Sequence, residues 1–86
     1  MIYPVVAVRD AKTTFWPCQV ETNENSAIRN FAMMINSGSG VTAFAPGDFD
    51  LFKVATFDSE KGIVEPVFPI ELICSGLNVQ GVNYEK

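Results

Sequence analysis

The stretch from Asp48 to Pro66 carries the clearest pattern in the chain: a run dense in aromatic and β-branched residues from Phe49 to Phe57, a polar break, and a second short apolar run at Ile63-Val64. Such residues fit a pleated, half-buried surface, so the pattern predicts a β-hairpin. Asp58 to Gly62 would form its loop, with Gly62 supplying the positive φ that a bulged hairpin needs at its last position. Upstream, Ile2 to Arg9 is a continuous apolar run that predicts a strand, with Pro4 unable to donate to a ladder. Asp10 to Thr14 suits a turn, and Phe15 to Val20 reads as a second strand, with Pro17 marking an edge or a bulge.

After Val20 the period changes from 2 to 3.6. Asn23 is suited to cap a helix, because its side-chain oxygen can accept from the free amides of the first turn, and Glu24 sits at the positive end of the helix dipole. Ala27, Ile28, Phe31, Met34 and Ile35 then recur at three- and four-residue spacing and form one apolar stripe, with Arg29, Asn30 and Asn36 turned outward. Gly38 is expected to end the helix in the left-handed conformation. The Gly-rich segment around it follows a helix and lacks the Lys-Ser or Lys-Thr of a phosphate cradle. Pro46-Gly47 is a turn signal leading into the hairpin. Beyond Pro66, Val67 to Cys74 is apolar enough to be ordered against the body of the domain. Ser75 to Lys86 is expected to be loose, unless Leu77, Val79 and Val82 alternate onto a neighbouring strand or a partner subunit.

The expected fold is therefore α+β: a single β-β-α-β-β domain over residues 1–86, ordered roughly from 2 to 74, with an antiparallel or mixed sheet and one helix on one face. The other face must be solvated, covered by the tail, or buried against another copy. With 86 residues, burial is modest, and seven Phe in so short a chain favour a homodimer.

Composition narrows the chemistry. Six Lys and Arg against ten Asp and Glu give a net charge of −4, which weighs against a general nucleic-acid binder but leaves room for a local cationic patch. There is no His, so the commonest general base and metal ligand is absent. Cys18 and Cys74 have no metal-like spacing and read as two small buried hydrophobes in a reducing cytoplasm. Asp48 and Asp50 would share a strand face, which reads as solvating charge. No catalysis, cofactor or metal is expected. No segment has the length of a membrane span or the basic lead of a signal peptide.

Three blocks carry a family resemblance: Ala7-Val8-Arg9-Asp10 with Phe15 shortly after; Asn23 followed by Ala27-Ile28-Arg29-Asn30-Phe31; and Pro46-Gly47-Asp48-Phe49 through Leu51-Phe52 to Thr56-Phe57-Asp58, with Gly62 and Pro66 beyond. In order and spacing they resemble the small nonstructural protein of gokushovirus-type microviruses, the phage ORF5 protein family. The likeness covers roughly residues 5 to 66, and the tail beyond Pro66 departs from the family's shorter endings. The resemblance implies a nonstructural, DNA-binding protein linked to viral single-stranded DNA synthesis or to the switch towards packaging, acting in the cytoplasm of the bacterial host cell.

A single-strand binder needs cations along the backbone and exposed rings for base stacking. Arg9, Lys12 and Lys53 would lie together if the first strand and the hairpin are neighbours, with Phe15, Trp16 and Phe52 as rings. Alternatively, Arg9 and Lys53 pair with Asp10, Asp48 or Asp50, and the rings are core. Arg29 either reaches a phosphate or pairs with a carboxylate of the hairpin. Two functions from different classes follow. One is a dimeric protein associated with single-stranded DNA, using Arg9, Lys12, Trp16, Arg29 and Lys53. The other is an acidic interaction module that binds a viral or host replication or defence protein.

Overall fold

The computed structural model describes residues 1–37 and 40–81. Strand β1 (Ile2–Asp10) leads through a turn into the two-residue β2 (Gln19–Val20), and helix α1 (Glu24–Ile35) follows. A short helix α2 (Gly40–Phe44) and a 3-10 turn (Pro46–Asp48) then precede β3 (Phe49–Asp58), β4 (Ile63–Ser75) and the brief α3 (Gly76–Val79). The sheet is wholly antiparallel, in the order β2-β1-β3-β4. It is a small α+β domain of the expected kind. Among the described residues no helix is long and apolar enough to cross a membrane.

Helix α1 starts where its capping chemistry places it: Asn23 Oδ1 accepts from the Ser26 amide at 2.8 Å, satisfying a first-turn donor that lacks a partner within the helix. Its stripe packs on the sheet, with Ala27, Phe31, Ala32 and Ile35 buried and Ile28 and Met34 beside them. From the sheet, Val6, Phe49 and Leu51 complete this core. Burying a side chain such as Phe31 or Ile35 contributes about 1.5–3 kcal/mol, which is what fixes α1 to this one face. Asn36 closes the helix, and Gly38, the expected terminator, lies outside the described residues.

The hairpin has the expected loop, with β3 ending at Asp58, β4 beginning at Ile63, and Gly62 at φ +69°. The second expected strand differs from the sequence reading. Only Gln19 and Val20 form a ladder with β1, while Phe15 makes an isolated bridge to Arg9, because Pro17 cannot extend the pairing. The segment Val67 to Cys74 is ordered against the body of the domain, as expected, by continuing β4 as an edge strand. Between Pro66, opposite Ala55, and Glu71, opposite Lys53, it carries an excursion that leaves Phe68 94% exposed.

Ser75 onward is also more ordered than expected. Leu77 and Val79 lie in α3, not in a strand, and Val79 is fully buried in the α1 core. Asn36 ties this turn down, donating from Nδ2 to the Val79 carbonyl at 2.9 Å and accepting from the Gly81 amide at 2.7 Å. Val82 lies outside the described residues. Cys18 is exposed, where burial was expected, because it sits in the unpaired segment before β2; Cys74 is half-buried. Both are free thiols.

Candidate nucleic-acid interface

Cross-strand partners share a sheet face, so the register decides what each face displays. The pairs Val6 with Lys53 and Val8 with Leu51 lie towards α1. The alternate pairs, Tyr3 with Phe57, Val5 with Ala55, Ala7 with Phe52 and Arg9 with Asp50, lie on the opposite face. Val20 of β2 and Val64, Pro66 and Leu72 of β4 extend that face to both edges. No described element packs over it. A solvated sheet face ordinarily alternates to polar residues, and this one is almost entirely apolar.

The register shift at Val54 produces this arrangement. It lets Val5 pair with Ala55 while Val6 pairs with Lys53, skipping Val54, so Phe52 and Phe57 emerge on the same side despite their odd spacing. Tyr3 and Phe57 form one ring station. At the other end, the Phe15 and Phe52 rings meet edge-to-face at 5.8 Å, and the Arg9 guanidinium lies 5.2 Å from the Phe52 ring centroid. Four strand residues, roughly 13 Å, separate the stations along β1. Between them lie the small side chains of Val5, Ala7 and Ala55, which are themselves buried, at 4%, 5% and 7% exposure.

Arg9 donates to Asp50 Oδ2 at 3.2 Å, an exposed pair. Such pairs are worth about 0–1 kcal/mol, so a phosphate can compete with Asp50 for the guanidinium. Lys12 follows Arg9 in a turn held by Asp10, whose carboxylate accepts from the Lys12 amide at 2.9 Å. Its own amine has no carboxylate partner among the described residues. Arg9, Phe15 and Phe52 thus gather at one end of the open face, with Lys12 in the turn that follows β1.

The remaining sequence candidates lie elsewhere. Lys53 is on the α1 side, bridging Glu24 at 3.0 Å and Glu71 at 3.5 Å, and its pKa is raised, chiefly by the hydrogen bond to Glu24. Trp16 is half-buried on the core side, edge-to-face with Phe49 at 5.4 Å. Arg29 is exposed on α1 without a carboxylate partner among the described residues. Asp48 belongs to the 3-10 turn and not to β3, so it does not share a strand face with Asp50.

Tyr3 and Phe57 were missed as site residues. Tyr3 lies within an unbroken apolar run that shows no face, and the parity of Phe57 is reset by the shift at Val54. The only sequence signal was the surplus of aromatic residues.

A family model described as Phage ORF5 protein matches residues 3–79. The match extends past Pro66 through β4 and α3, further along the chain than the residue blocks indicated. No curated protein and no solved structure matches the chain.

Proposed function

Because this chain belongs to the Phage ORF5 protein family, and is thus a phage protein, we propose that it binds single-stranded DNA on the open sheet face during viral DNA synthesis or its coupling to packaging, in the cytoplasm of the host bacterium. The observation that carries this reading is the pair of ring stations flanking a small-residue floor, with Arg9 over Phe52 at one end. Bases stack on accessible rings at a gain of about 1–3 kcal/mol each, without regard to sequence; here Phe15 is exposed and Tyr3, Phe52 and Phe57 are half-buried. Arg9 and Lys12 meet the backbone phosphates, and the local cationic end offsets the acidic balance of the whole molecule.

The test is a titration with a single-stranded oligonucleotide at low and moderate salt. Phe52→Ala is expected to weaken binding by about tenfold. Arg9→Ala lowers the salt slope by about 0.7. Absence of binding by the parent protein at low salt ends this reading.

One observation supports a second function, an interaction module for a viral or host replication or defence protein. Val64 and Leu72 flank the rings at 58% and 59% exposure, on a molecule of net charge −4. Contacts of that kind hold or strengthen as salt rises, the opposite of phosphate binding.

A further inference from the structure

Of the cross-strand pairs that lie on the open face, Arg9 with Asp50 is the only one in which both residues are charged. A sheet face left to water would scatter charges along its length, whereas here the single pair stands at a ring station. The geometry couples three side chains. The Arg9 guanidinium lies over the Phe52 ring, 5.2 Å from its centroid, and donates to Asp50 Oδ2 at 3.2 Å. Asp50 is the less exposed partner, at 20% against 45% for Arg9, and no other side chain among the described residues donates to its carboxylate. Phe15 meets the same ring edge-to-face at 5.8 Å. In the free protein Phe52 is thus a covered ring, with a cation on one face that a carboxylate holds in place.

A base that stacks on Phe52 has to replace the guanidinium, and Arg9 leaves only when both of its contacts are made good. The base itself replaces the ring contact. The carboxylate contact is replaced only by another anion, and a phosphate takes two parallel N–H bonds from a guanidinium as a carboxylate does. We propose that Asp50 latches Arg9 over Phe52, so that this end of the open face admits a base only together with its phosphate. Asp50 is then a positioning residue that acts through Arg9, and it selects nucleotides over uncharged nucleosides, which bring the ring without the anion. The proposal rests on the single-stranded DNA reading and adds to it the exchange that uncovers one of its rings. Phosphate capture and ring exposure become one movement of one side chain.

The probe is a fluorescently labelled oligo-dT, titrated by anisotropy at low salt and then displaced with deoxyadenosine or deoxyadenosine 5′-monophosphate. Asp50→Asn keeps the shape and removes the latch, and it is expected to raise oligonucleotide affinity about fivefold, the upper end of what an exposed ion pair is worth. A gain of this kind cannot come from a misfolded chain. Asp50→Glu, which keeps the carboxylate, stays within about twofold of the parent. Because the gain runs through Arg9, adding Asp50→Asn to Arg9→Ala changes affinity by less than about twofold. Arg9→Ala moves the two small competitors in opposite directions: uncovering Phe52 strengthens deoxyadenosine about threefold, and losing the cation weakens the monophosphate by about the same factor. Differences between variants isolate this station from the one at Tyr3 and Phe57. Unchanged or lower oligonucleotide affinity in Asp50→Asn, an equal gain with and without Arg9, or no rise in deoxyadenosine affinity in Arg9→Ala overturns the latch. If the oligonucleotide still binds with dependence on Phe52, the open-face reading survives that outcome; if the parent protein binds no oligonucleotide at low salt, both readings fall.

Discussion

Gly76 leaves no room for a side chain. A Cβ there would collide with the Pro46 carbonyl oxygen and come within 3.2 Å of Ile35 Cδ1, and a backbone carbonyl cannot step aside as a flexible side-chain tip can. Gly76→Ala is therefore expected to lower stability by about 1–3 kcal/mol, read as a drop in the urea midpoint with an unchanged slope. Cys74 sets a pH dependence. Burial, reinforced by the Asp50 carboxylate, pushes its thiol from 9.0 up to about 11. The folded chain keeps this proton where the unfolded chain has released it. Stability is thus intact below about pH 9 and falls as the pH rises towards about 11. The Lys53 amine acts in the same direction at higher pH, since its raised value means the bridges to Glu24 and Glu71 are lost only above 10.5. Thermal melts from pH 8 upward should show the decline, and Cys74→Ala should remove its earlier part while leaving the Lys53 part.

The elements most legible in the sequence are those whose signals are local. Helix α1 is specified by Asn23 and a stripe of period 3.6, and the hairpin by a dense apolar run followed by Gly62. Each should fail locally when its punctuation is removed. Asn23→Ala is expected to cost about 1 kcal/mol through the lost bond to the Ser26 amide. Gly62→Ala should cost about 1–2 kcal/mol, because Gly62 sits at φ +69° with open space around it, so the penalty is conformational and not steric. Urea denaturation of the two variants checks both values. The second half of β4 and α3 were not legible for a physical reason: their placement depends on partners far away in sequence. Glu71 is held by Lys53, Val79 by the α1 core, and the end of α3 by Asn36. The site was only half legible in the same way. Arg9, Lys12, Phe15 and Phe52 could be proposed from residue type, but a shift at one residue, Val54, decides that Phe57 joins them and that Lys53 faces the helix.

At the scale of the whole molecule, one face of the sheet has a helix and the other has nothing among the described residues, and both DNA and a second copy of the chain are suited to cover it. The area decides how these two relate. Three strands of about nine residues, with the two-residue β2 at one edge, give a face of roughly 300–450 Å². That is below the roughly 800 Å² per partner of a standard stable interface, so pairing through this face should be weak, with a Kd on the order of 0.1 mM. Such a contact cannot coexist with an oligonucleotide on the same rings. Sedimentation of the free protein is therefore expected to show concentration-dependent dimers, and a saturating single-stranded oligonucleotide should convert them to complexes with one protein chain per binding site. Phe52→Ala should weaken both states together, because both use that ring. If the protomers instead stay paired while DNA is bound, the dimer contact lies elsewhere. The β4 edge, where Phe68 stands 94% exposed, is then the surface to mutate, with Phe68→Ser expected to separate the pair and leave DNA binding unchanged.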